Sequence, residues 1–62
     1  MPITFPCFLV ARHLNSGRLV RWRIETEQDL RKEIAAARGA GRYLLLHVET
    51  ADGVVSLERA LG

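Results

Sequence analysis

Two turn signals, one towards each end of the chain, constrain the fold more than any other feature of the sequence. Asn15-Ser16-Gly17 and Asp52-Gly53 each combine a glycine with residues that favour tight turns. Each signal separates two segments with the composition of β-strands. These segments are Phe8–Leu14 and Leu19–Glu25 for the first turn, and Tyr43–Ala51 and Val54–Glu58 for the second. The sequence therefore predicts two β-hairpins.

The alternation of side chains predicts which face of each hairpin is buried. A three-residue loop at 15–17 pairs Leu14 with Arg18, and a two-residue loop at 52–53 pairs Thr50 with Val55. The predicted buried face of the first hairpin comprises Phe8, Val10, Val20, Trp22 and Ile24, with Trp22 as its largest core residue. That of the second comprises Leu44, Leu46, Val48, Val55 and Leu57. The segment 56–61 fits either a continued strand or a helical turn.

The segment between the hairpins has the features of an amphipathic helix. Thr26 is a good N-cap with Asp29 three residues later, and Glu27 and Arg31 have the spacing of a favourable ion pair. Gly39 or Gly41 is expected to end the helix. The apolar stripe consists of Leu30, Ile34 and Ala37.

The order ββαββ predicts a single α+β domain over residues 1–62. We expect a two-layer sandwich, in which a mainly antiparallel four-stranded sheet carries one helix on one face. The strand order 2-1-3-4 makes every neighbour antiparallel and is preferred to 1-2-3-4, which needs a parallel pair. No apolar run reaches the ~18 residues of a membrane span, and the N-terminus does not resemble a signal peptide. Because Cys7 is the single cysteine, we expect a cytoplasmic protein without a disulfide.

A sheet with one helix leaves its second face uncovered, and this face is predicted to contain large apolar residues among charged ones. Such a face is typical of an interaction site, so we expect a non-enzymatic module that self-associates, with a dimer favoured. An edge strand, or a different protein as partner, is the other route to association. The alternative is that the segment 1–6 covers these side chains. The predicted interface residues are Leu9, Leu19, Arg21, Arg23, Tyr43 and Leu45.

The distribution of charge supports a second hypothesis. Residues 1–24 carry a net charge of +4, and residues 25–62 carry −2, which together give the net +2 of the chain. A basic first hairpin is compatible with binding to nucleic acid through Arg12, Arg18, Arg21 and Arg23. The small overall charge makes this function less favoured than self-association. The overall pattern resembles that of many short bacterial or phage proteins, although no motif carries this likeness.

No group of residues in the sequence predicts catalysis, a cofactor or a metal ion. Cys7 and His13 are too far apart along one strand to form a nucleophile and base. His47 is expected to lie opposite Glu58 as an ordinary polar pair. Gly39-Ala40-Gly41 follows the helix, whereas phosphate-binding loops precede one. We therefore predict no catalytic, cofactor-binding or metal-binding residues.

Overall fold

The structure is a computed structural model, which describes residues 3–61. Four strands form one sheet in the order β2-β1-β3-β4, and each pair of neighbours is antiparallel. The predicted strand order and the α+β class are therefore confirmed. The elements are β1 (Cys7–His13), β2 (Leu19–Ile24), α1 (Glu27–Ala40), β3 (Tyr43–Thr50), β4 (Gly53–Val55) and α2 (Leu57–Leu61).

The first hairpin has a register one residue away from the predicted one. Its loop contains four residues, Leu14 to Gly17, because the amide of His13 donates to the carbonyl of Arg18 (2.8 Å) and the amide of Gly17 to that of His13 (2.8 Å). Gly17 has φ 72°, a left-handed conformation that glycine adopts without strain. A shift of one residue moves every side chain of β1 to the other face. Thus Leu9, not Val10, lies opposite Trp22.

Helix α1 follows the predicted pattern closely. The hydroxyl of Thr26 accepts a hydrogen bond from the amide of Asp29 (3.1 Å), as an N-cap does. Gly41 ends the helix in a left-handed conformation (φ 67°). A glycine in this conformation is the common way for a helix to satisfy its last carbonyl groups. The buried side chains are Leu30, Ile34 and Ala37.

The second hairpin differs from the prediction in its turn residues and in the position where β4 ends. Thr50 pairs with Gly53, so the two-residue turn is Ala51-Asp52. Val48 and Val55 still share a face as predicted, because the register has moved by an even number of residues. Strand β4 ends at Val55, and the following residues form α2 rather than a continued strand.

A bulge in β3 changes the face of the sheet to which the side chains of its first residues point. Val10 pairs with His47 and Ala11 with Leu45, so Leu46 is an extra residue with no partner in β1. Because of this extra residue, Tyr43 and Leu45 lie on the same face as Val48. The predicted face that combined Leu44 with Val48 is therefore wrong.

The core lies between the sheet and the two helices. Ile3 and Phe5, before β1, also pack against it. Neither helix within residues 3–61 has the length and apolar character needed to cross a bilayer. The buried residues of the core cluster are Cys7, Leu9, Ile24, Leu30, Ile34, Val48 and Ala60.

Candidate functional site

The face of the sheet opposite α1, called the open face below, is the candidate site. Residues directly opposite one another on neighbouring strands point to the same face, so the register defines its members as three rows. Within the described residues, the rows are Arg23, Phe8, Glu49 and Val54; Arg21, Val10 and His47; and Leu19, Arg12 and Leu44. In each row the residues are given in the strand order β2, β1, β3 and β4.

The open face carries most of the exposed large apolar side chains. Five such side chains are exposed among residues 3–61, and four of them lie on this face. The fifth, Leu14, lies in the loop of the first hairpin. The four are Phe8, Leu19, Leu44 and Val54.

Polar side chains cover the apolar residue at the centre of the open face. Val10 is only 3% exposed, and its direct neighbours are Arg21 and His47. Arg21 donates to Glu49, and His47 Nε2 lies 3.3 Å from the second carboxylate oxygen of Glu49. The guanidinium of Arg21 also lies 5.4 Å from the ring centroid of Phe8, in a cation–π contact. Long polar side chains therefore cover the apolar centre, as their stems allow.

Glu49 is the negative charge of this network. The hydrogen bond from His47, and then the charge and hydrogen bond of Arg21, hold the pKa of its carboxyl below the usual value. Arg23 is paired separately, with its Nε 2.7 Å from a carboxylate oxygen of Glu25. The three rows thus contain three arginines and one glutamate.

Three of the six predicted interface residues do not lie on the open face. Leu9 is fully buried in the core, and Leu45 packs against it. Tyr43 contacts the ring of Trp22 edge-on, with 5.0 Å between the centroids. Their predicted placement was wrong because of the one-residue shift in the first hairpin and the bulge in β3. Leu19, Arg21 and Arg23 do lie on the open face.

The predicted interface also omitted residues of the open face. Phe8 and Leu44 are exposed there, and both had been expected in the core. A signal for the correct alternation was present in β1, since Arg12 belongs to the same alternating set as Phe8. Placing that set against α1 would bury an arginine without a partner. By contrast, the set containing Cys7, Leu9 and Ala11 has no charged member.

The four arginines of the nucleic-acid hypothesis all belong to the first hairpin. Arg12, Arg21 and Arg23 are exposed residues of the open face, and Arg18 directly follows the loop of this hairpin. Arg12 Nη1 donates to the carbonyl of Gly17 (3.3 Å), which directs its guanidinium towards that loop.

The histidines and the cysteine are in unrelated positions. His47 contacts Glu49 and not Glu58, which lies in α2, so the predicted cross-strand pair was wrong. His13 packs edge-on against Tyr43, with the ring centroids 5.2 Å apart. Cys7 is buried, and burial raises the pKa of its thiol. In the part of the chain from 3 to 61, no three His, Cys, Asp or Glu side chains come together in a possible metal site.

Comparison with known proteins adds no assignment. The chain matches no model of a protein family, no curated protein and no solved structure. The candidate site is therefore interpreted from its own geometry.

Proposed function

We propose that this chain is a small non-enzymatic interaction module that forms a homodimer through its open face. The observation that carries this proposal is the concentration of exposed apolar side chains on that one face. Exposed apolar residues that are scattered singly need no explanation, whereas a group of them on one face is typical of an interaction site.

The area of the open face fits a modest dimer. From their exposed fractions, Phe8, Leu19, Leu44 and Val54 together present roughly 350–400 Å² of surface, within the range of the largest patch on a typical monomer. The whole chain exposes 4440 Å², about a tenth more than scaling gives for a compact monomer of 7.0 kDa. A standard interface of about 800 Å² per partner would cover about a fifth of this surface. We expect a dimer with a dissociation constant in the micromolar range.

Light scattering over a range of chain concentrations tests the proposal. We expect a mass that rises towards twice the 7.0 kDa of one chain and does not fall between about 0.1 and about 1 M salt, since apolar burial is not screened. A mass of one chain at every concentration, up to about 1 mM, would contradict it.

Two matched variants locate the interface. Leu44 and Leu14 are similarly exposed, at 52% and 57%, but only Leu44 lies on the open face. We therefore expect Leu44→Glu to abolish the dimer and Leu14→Glu to leave it intact. Equal effects of the two variants would place the interface elsewhere, such as the edge strand β2.

Binding of single-stranded nucleic acid is the second candidate function. It is favoured by Arg21 and Arg23 next to the partly exposed ring of Phe8, with Arg12 further along the same face, because cations and an aromatic ring on one sheet face suit a charged backbone and stacked bases. Titration of a labelled oligonucleotide would show an affinity that falls steeply with salt, and the double variant Arg21→Glu, Arg23→Glu would abolish it. No binding at low salt would exclude this function.

A cytoplasmic location suits either function. The single cysteine is buried, so the fold does not depend on a disulfide or on an oxidising compartment.

A further inference from the structure

The open face has opposite charges on the two sides of its central strand. β1 lies between β2 and β3, which flank it at about the same distance of ~4.8 Å. In the row through Phe8, Arg23 stands on the β2 side and Glu49 on the β3 side. In the row through Arg12, the two flanking residues are both leucines, Leu19 and Leu44. A rotation that exchanges the two sides therefore brings a cation to an anion and a leucine to a leucine.

We propose that two copies pack face to face about a two-fold axis that runs parallel to β1 and directly above it. This arrangement rests on the proposed self-association and specifies its geometry. Phe8 then meets Phe8 of the second copy on the axis, and Arg23 lies opposite Glu49 of the second copy. The leucines of β2 and β3 pack against each other at the far end. The contacts on either side of the axis each occur twice, as two-fold symmetry requires, whereas the contact of Phe8 with its copy occurs once on the axis.

Other positions of a parallel axis give poorer charge pairing. An axis above β3 places Glu49 opposite Glu49, and an axis between β1 and β3 places Phe8 opposite Glu49. Neither brings a cation of the second copy to Glu49, so the only cationic partners of this carboxylate would be those of its own chain, Arg21 and His47. The axis above β1 has one cost, since Arg12 faces Arg12. That pair lies in the end row, where each guanidinium is exposed and bonds to its own hairpin loop, so the repulsion is weak.

The side chains on and beside the axis are suited to packing against a second copy. Phe8 is partly exposed, and aromatic rings of two packed sheets meet in the ~10 Å between them. Each oxygen of Glu49 has one partner, Arg21 or His47, and a carboxylate oxygen accepts a second hydrogen bond. In the described part of the chain, the side chain of Arg23 is 63% exposed and bonds only to that of Glu25, which is 61% exposed. Arg23 can therefore reach a carboxylate of the second copy.

Charge reversal with mixing tests the position of the axis. In a homodimer of Arg23→Glu, glutamate faces Glu49, and in a homodimer of Glu49→Arg, arginine faces Arg23. We expect each variant alone to raise the dissociation constant at least ~10-fold over the wild type. An equimolar mixture restores both ion pairs in the heterodimer, so we expect it to dimerise within about threefold of the wild type. Sedimentation measures the constants, and native mass spectrometry identifies the heterodimer.

The outcomes separate this inference from the proposed function. A wild-type chain that stays monomeric contradicts the proposed function, and the axis fails with it. A wild-type dimer whose reversals both dimerise normally, or whose mixture is not restored, overturns the axis and leaves self-association standing. A mass increase that needs bound nucleic acid and disappears at high salt would assign the open face to nucleic acid.

A second variant covers the case in which Glu49→Arg does not fold. Phe8→Cys in a Cys7→Ala background places one thiol per chain on the axis, and a bifunctional maleimide with a spacer shorter than the ~10 Å between packed sheets can join the two thiols. We expect rapid covalent dimerisation, with Leu14→Cys in the same background as the control that does not cross-link. Equal cross-linking of the two thiols would overturn the axis.

Discussion

The clearest test of the fold compares two leucines of the first hairpin. Leu9 is fully buried beneath α1, whereas Leu19 is 59% exposed on the open face. Leu9→Ala leaves a cavity in the core and should lower the free energy of unfolding by about 3–4 kcal/mol. Leu19→Ala loses only the buried part of a side chain worth about 1.5–3 kcal/mol, so we expect a loss of about 0.5–1 kcal/mol.

Urea unfolding of dilute protein, followed by the fluorescence of Trp22, compares both variants with the wild type. A domain of this size is stable by only about 3–5 kcal/mol, so Leu9→Ala should be largely unfolded before urea is added. Leu9→Met keeps the volume and should cost less than about 1.5 kcal/mol, which gives a measurable midpoint. With a slope near 1 kcal/mol per molar urea, Leu19→Ala should lower the midpoint by about 0.5–1 M. Equal losses for both alanine variants would refute the four-residue loop, since a three-residue loop puts both leucines outside.

Three further predictions concern the helix and the carboxylate of the open face. Thr26→Ala should lower the free energy of unfolding by about 1 kcal/mol and Thr26→Asp should not, because aspartate also caps. Gly41→Ala should lower the free energy of unfolding by about 1 kcal/mol, because φ is 67° at this position. Gly39→Ala should raise it by about the same amount, because Gly39 lies within α1 and has open space around it. Urea midpoints measure both changes. Because the pKa of Glu49 is lowered in the folded state, its ionised carboxylate stabilises the fold above about pH 4.5, and this contribution is lost as the pH falls further. In Glu49→Gln, the free energy of unfolding should therefore fall less steeply with acid than in the wild type.

The two ends of helix α1 were predictable because single residues determine them, whereas both turns were predicted near the right place but with the wrong loop residues. Thr26 caps α1 and Gly41 ends it, and both are readable from their positions next to an apolar stripe. The strand order also followed from the sequence, because two hairpins joined by one helix have few arrangements in which all neighbours are antiparallel.

The register of the first hairpin could not be predicted from apolar alternation alone. Both alternating sets of β1 are apolar at their start, with Cys7 and Leu9 in one and Phe8 and Val10 in the other. Only Arg12 distinguishes them, and it is a single residue near the end of the strand rather than part of a repeated pattern. The difference of one residue in loop length then decides which set is buried.

The bulge in β3 had no signal in the sequence. Leu44, Leu45 and Leu46 are identical in chemistry, so no alternation is present that a bulge could interrupt. The structure uses this uniformity, because Leu45 reaches the core and Leu44 reaches the open face. Because these three residues are all leucines, the sequence does not indicate which of them points to the core and which belongs to the candidate site.

The proposal that a partner covers the open face depends on which of its positions are apolar. Its one apolar side chain at the centre, Val10, is already covered by Arg21 and His47 within the chain. If the open face were simply in contact with water, the positions around this centre would be expected to carry polar residues. They instead carry Leu19 and Leu44, which are exposed and lie two strands apart on either side of β1. A second copy turned about β1 would bury both leucines without disturbing the central network, and the charge-reversal mixture measures whether it does.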